Sequence, residues 1–160
     1  MRPLSRNRVL VLIGLTLVLH TAEEYVTFPR FLSAGRFPPW LHPRLIPSAE
    51  GLHVALVMAT VLPLVVLAWA MLRPHKGLLI ASLLLSCVLL VNAGWHILAA
   101  FVRGGYAPGI ITAVLINLPF GMYVLQRALK EQWVGTRTAW LLLGVAFLLH
   151  IVALGRLLAG

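Results

Sequence analysis

Five apolar runs, each about 20 residues or longer, dominate the chain and limit what it can fold into. At 1.5 Å of rise per residue, roughly 20 helical residues cross the ~30 Å hydrocarbon core of a bilayer. Runs at about 9–28, 48–72, 77–102, 108–126 and 138–158 meet that length. Backbone N–H and C=O groups in lipid must be satisfied within their own segment, so these runs are expected as helices rather than strands. The expected fold class is therefore all-α, an integral membrane bundle of five transmembrane helices in one domain over residues 1–160.

Composition agrees, with 61% hydrophobic and 11% charged residues, far from a soluble globule. A net charge of +9 would suit nucleic acid, but the basic residues stand singly or in small groups between the apolar runs, as in loops and headgroup contacts. No nucleic-acid partner is expected. Cys87, the only cysteine, lies inside a run and offers neither a disulfide framework nor a thiolate metal site. The opening "MRPLSRNRVLVLIGLTLVLHTA" imitates a signal peptide, yet His20 would stand three places before a cut after Ala22, where a small residue is needed. The first run is expected to remain as a span. The connection "PRFLSAGRFPPWLHPRLIP", between the first two runs, is expected to be interfacial or re-entrant, given its proline, arginine and aromatic content.

Orientation follows from the basic residues. An N-in arrangement leaves Arg2, Arg6, Arg8, Arg73, Lys76, Arg127, Lys130 and Arg137 on the cytoplasmic side and Arg30, Arg36, Arg44, Arg103 and Arg156 outside. The bias is that of an inner-membrane protein with a cytoplasmic N-terminus.

The acidic residues are the anomaly. The chain has only four, and two of them, Glu23 and Glu24, stand side by side near the end of the first run. By helical rise, His20, Glu23 and Glu24 lie roughly 12, 8 and 6 Å in from the end of that span, and Glu50 and His53 roughly 3 and 8 Å from the start of the second. His96 and His150 lie roughly 9 and 12 Å from the ends of spans three and five. All of these ends fall on one side of the membrane, so the polar residues form a single layer. Residues three or four apart share a helix face, which groups His20 with Glu23 and Glu24, Glu50 with His53, and Asn92 with His96.

Three carboxylates and three imidazoles at one depth suit zinc, iron or manganese, as one ion or two. The expected metal ligands are His20, Glu23, Glu24, Glu50, His53 and His96, with Asn92, Asn117 and His150 supporting them. The motif "EGLH" has the Glu-x-x-His spacing that helical bundles use for carboxylate-bridged metals. Each element also has a plainer reading. Glu24 could pair with Arg30, and Glu50 could be a first-turn acid favoured by the helix dipole. His96 could be a satisfied buried imidazole, and Asn92 and Asn117 could bond across helices.

The pattern resembles the bacterial HxxEE proteins, small membrane proteins with that motif, a further histidine and a Tyr-x-Pro-Gly element. Here the motif is "HTAEE", with His20, Glu23 and Glu24. The further histidine matches His96 in "NAGWH", and "YAPG" supplies Tyr106, Pro108 and Gly109. The resemblance covers most of the chain and implies no particular function. In "GGYAPG" the glycines permit a tight turn and Pro108 suits a first helical turn, fixing Tyr106 at the membrane edge as a headgroup anchor or as a proton donor.

The function expected from these residues is that of a metal-dependent membrane enzyme, with Glu23, Glu24 and Tyr106 as catalytic groups. Zinc would make it a hydrolase acting on a membrane lipid or other amphiphile at one interface. A di-iron centre would make it a lipid oxidase or desaturase. A proton- or cation-coupled transporter and a non-catalytic scaffold are the rivals from other classes. Against transport, the other half of the membrane offers little polarity beyond Asn92 and Asn117 near its middle.

Overall fold

In a computed structural model, described over residues 4–33, 49–73 and 75–159, the chain forms five long helices, and the described residues contain no strand. They are α1 (Arg6–Ser33), α2 (Ala49–Leu72), α3 (Lys76–Arg103), α4 (Ile110–Lys130) and α5 (Thr136–Ala159). The first four are long and apolar enough to cross a membrane, and the described apolar part of α5 is the shorter stretch Thr136–Val152. The chain is thus a membrane protein by length and composition. Every expected run is helical, each with slightly different ends, and four of the five are long and apolar enough to span.

The largest difference is at α1, which runs five residues past the expected end at 28. Pro29 lies inside it, near its C-terminal end, and lacks the N–H of a helical bond, while Arg30 in the last turn faces the negative end of the helix dipole. The first five residues of the connection expected to be interfacial or re-entrant are thus helical, and the rest of it lies outside the described residues.

Helix α3 is central and packs against the other four. Small residues allow the close approach, as is usual between membrane helices, where small side chains let backbones meet. Ala93, Ala113, Ala128 and Ala146 are fully buried, and a Cβ on Gly121 would come within 3.2 Å of Leu90. Around them Val9, Ile13, Leu83, Leu89 and Val124 fill the core. Large apolar side chains point outward on every helix, Phe101 at 83% and Leu72 at 79% exposure among them, as a lipid-facing surface requires. At the far end, Arg127 holds Glu131 at 2.7 Å, which keeps that carboxyl below its usual range.

One helix departs from regular geometry. The turn Ala113–Asn117 of α4 is a π-turn. Pro119 follows it, and a proline ring crowds the carbonyl four residues back, which a wider turn relieves. That turn stands directly below the part of α4 that meets the acidic residues.

Candidate metal centre

The site begins with how α4 starts. Gly104, at φ 67°, closes α3 in the left-handed region, and the chain turns through Tyr106 and Pro108 to Gly109, at φ 82°, which precedes α4 without a side-chain cap. The first N–H groups of a helix need acceptors. Glu23 of α1 provides them: Oε1 accepts the Ile111 N–H at 3.1 Å and the Tyr106 hydroxyl at 2.9 Å. Oε2 accepts the Thr112 N–H at 2.7 Å and the Thr112 hydroxyl at 2.6 Å. An anion at a helix N-terminus is a favourable pairing. Tyr106 lies outside the spans, and burial first, with the Glu23 carboxylate adding to it, raises its phenol above the ordinary range.

Thr112 carries this arrangement to His20. Its hydroxyl hydrogen is committed to the acceptor-only carboxylate, so its oxygen must accept from His20 Nδ1, 2.8 Å away. That contact sets the tautomer: Nδ1 bears the proton and Nε2 presents a lone pair. Glu23 is therefore a residue that orients His20 through Thr112.

The His20 Nε2 lone pair faces Glu24 and His96. Glu24 Oε1 lies 3.8 Å from His20 Nε2 and 3.2 Å from His96 Nε2, and the three ligand atoms lie within 4.8 Å of one another. The two rings meet edge to face with centroids 4.9 Å apart. His20 is 2% exposed, so the group is closed toward the core. Among the described residues no lysine or arginine pairs with Glu24. Asn92 Nδ2 approaches both imidazoles, at 2.6 Å from His20 Nε2 and 3.1 Å from His96 Nε2. The positive end of the amide points at the place where a cation would meet both lone pairs. Asn92 Oδ1 reaches His150 Nε2 at 3.3 Å, and His150 Nδ1 donates to the Ala146 carbonyl at 2.8 Å.

Three of the six expected ligands thus come together, and the other three do not. Glu23 is turned away by the α4 N-terminus. His53 stacks on Tyr25 at 4.1 Å between centroids, and Glu50 stays exposed in the first turn of α2, as the dipole reading has it. Asn92 and His150 join the group, whereas Asn117 is fully buried with no hydrogen-bond partner among the described residues. Tyr106 spends its hydroxyl on Glu23. Thr112 is not legible in the sequence, for a threonine near a helix start carries no signal of a histidine 92 positions away.

Gly109 has a second role beyond the turn. A Cβ there would lie 2.8 Å from His96 Cε1, 2.9 Å from His20 Cε1 and 3.1 Å from Glu24 Cγ, so the absent side chain is what lets the loop seal the cluster.

Two clefts meet at the group. One of about 450 Å³ is lined by Phe28, Phe31, Trp95, Arg103 and Pro108, the other of about 510 Å³ by α1, α2, α3 and α5 side chains, and Glu24, Asn92 and His150 border both. Volumes of about 300–1,000 Å³ are typical of small-molecule sites.

Replacing Thr112 by valine tests the orienting chain. It leaves the backbone cap in place but removes the acceptor for His20 Nδ1. If the group holds zinc, its affinity, measured by competition with a chromophoric chelator, should fall roughly 10–100-fold, as loss of a partner behind a metal-ligating histidine does. An unchanged affinity would mean that His20 needs no such support.

A family profile described as "Protein of unknown function with HXXEE motif" matches residues 11–124 of the chain. No curated protein and no solved structure matches it.

Proposed function

The chain belongs to the HXXEE-motif family, and from the way its motif meets His96 we propose that it is a membrane-embedded metal-dependent hydrolase acting on a lipid or similar amphiphile. The observation that carries this reading is the convergence of His20 Nε2, Glu24 Oε1 and His96 Nε2 without any lysine or arginine to balance the carboxylate. A charge at membrane depth needs a partner, and two imidazoles with one carboxylate form the three-ligand set that catalytic zinc sites use while keeping a position open.

The spacing supports the fit. Ligands about 2.0–2.1 Å from a tetrahedral zinc lie roughly 3.3 Å from one another. The His96–Glu24 distance of 3.2 Å already meets this and the His20–Glu24 distance of 3.8 Å needs a shift of a few tenths, while the two imidazoles, within 4.8 Å, must also close and the Asn92 amide must turn from their lone pairs. A zinc ion would supply Lewis acidity and a water acidified toward neutral pH. Glu24 then serves as ligand, Glu23 and Thr112 hold His20, and His150 is the remaining imidazole beside the clefts for proton transfer. One carboxylate in the group argues against a di-iron oxidase, since bundle di-iron sites use four.

We further place the protein, on its basic-residue bias, in a bacterial inner membrane with a cytoplasmic N-terminus. The centre then opens to the outer leaflet, within reach of headgroups and acyl chains together.

Metal analysis is the direct test. Detergent-purified protein, prepared without chelator, should hold about one zinc per chain. Stripping it with a chelator should abolish hydrolysis of a long-chain ester, and zinc should restore it. A wild type that neither retains nor takes up zinc, iron or manganese would refute the proposal and favour proton passage along His20, Asn92 and His150.

A further inference from the structure

We propose that the substrate of this centre is an anionic ester lipid whose acidic headgroup is held by Arg103 while an acyl chain occupies the cleft between α1, α2, α3 and α5. The inference rests on the reading of the His20–Glu24–His96 group as the reacting centre.

The two clefts share Glu24, Asn92 and His150, so one elongated molecule lying in both must pass the cluster. Their chemistry differs. The 510 Å³ cleft is lined, apart from the cluster residues and Thr21, by leucine, valine, alanine and proline, a wall that binds hydrocarbon and little else. The 450 Å³ cleft contains a guanidinium, that of Arg103, set among Phe28, Phe31 and Trp95.

Arg103 is unusual among the described basic residues because it lines the cleft that ends at the cluster. Its Cζ lies 4.1 Å from the Phe31 ring centroid, and no carboxylate pairs with it among the described residues. The four glutamates are accounted for elsewhere: Glu23 on α4, Glu24 on the histidines, Glu131 on Arg127, and Glu50 exposed at the start of α2. A guanidinium keeps its N–H groups available in a fork that matches phosphate or carboxylate oxygens. The cleft therefore offers an anion site beside an apolar slot.

Spacing along α3 says which bond is addressed. Arg103 follows His96 by seven residues, two turns on the same face and about 10 Å along the axis. An anion at Arg103 thus sits nearer the helix end than the cluster does. The linkage that reaches the cluster is a deeper one, where headgroup and chain join, which in an ester lipid is the acyl ester. In the reaction the water oxygen adds to the acyl carbon and the acyl C–O bond breaks. The alcohol leaves with a proton taken from the water, and a fatty acid is released.

Binding can be measured apart from turnover with ether-linked lipids, which lack the cleavable bond. Dialkyl phosphatidylglycerol and the uncharged dialkylglycerol, titrated in neutral-detergent micelles against tryptophan fluorescence, are expected to differ at least tenfold in favour of the anionic probe. Arg103→Gln should remove that preference and leave the dialkylglycerol affinity and the zinc content unchanged. Arg103→Lys should keep part of it. Arg73→Gln, a charge lost at the other end of the bundle, should keep all of it. Equal binding of the two probes by wild type, or an undiminished preference in Arg103→Gln, overturns the proposal whether or not zinc is bound. Displacement of bound probe by palmitate with no response to phosphatidylglycerol would assign Arg103 to the product carboxylate and overturn the headgroup assignment. Failure of the metal reading shows separately, as a wild type without metal, while the binding preference is still read.

Discussion

On the proposed zinc reading, Gly109→Ala is expected to abolish metal binding while Gly104→Ala does not. Both glycines have positive φ, 82° and 67°, so alanine at either meets the same backbone penalty of roughly 1–2 kcal/mol. Their surroundings differ. Nothing lies within 4 Å of a Cβ built on Gly104, whereas one on Gly109 meets both imidazoles and Glu24 at 2.8–3.1 Å. His20 is buried against the core and cannot retreat, so the loop or the ligands must move. Ligand positions matter to a few tenths of an ångström, and we expect zinc affinity to fall at least roughly a hundredfold, beyond the range for an outer partner. Both variants should lose comparable thermal stability in the metal-free state, apart from the additional collision at Gly109. Equal zinc affinity in the two variants would show that the loop does not seal the cluster.

The second large effect separates two adjacent glutamates. Glu24→Gln removes the only anionic member of the ligand group and should lower zinc affinity by more than the roughly hundredfold expected at most from an outer partner. Its metal-free stability should hold or rise, because a poorly compensated charge has been taken out of an apolar setting. Glu23→Gln should behave in the opposite way. Four donors converge on that carboxylate, and the NH₂ end of glutamine must face at least one of them. The expected loss is therefore in melting temperature, with a smaller loss of zinc transmitted through Thr112. Parallel melting curves and zinc titrations of the two variants decide the matter. A Glu23→Gln variant that loses zinc as completely as Glu24→Gln would return Glu23 to the ligand group.

Local chemistry accounts for what could be read from the sequence alone. The five apolar runs become five helices because hydrocarbon leaves their backbone groups no other partner, and the boundaries moved only by the few residues that a tolerated proline or a capping glycine allows. The shared face of His20 and Glu24 follows from helical spacing, and the common depth of His96 and His150 from rise per residue. What spacing cannot carry is the direction a side chain takes when two partners compete for it. Glu23 and Glu24 are neighbours on one helix, yet Glu23 turns to the start of a helix 88 positions on, because unpaired N–H groups there attract an anion more strongly than two imidazoles do. His53 shares the expected layer but lies against Tyr25, since depth along a helix says nothing about rotation around it. Thr112 and the missing side chain of Gly109 enter the centre only when α1, α3 and α4 are packed together. Local spacing and composition account for the helices and for the residue types of the site; the packing of α1, α3 and α4 sets which of two adjacent carboxylates faces the histidines and which one holds the helix that closes over them.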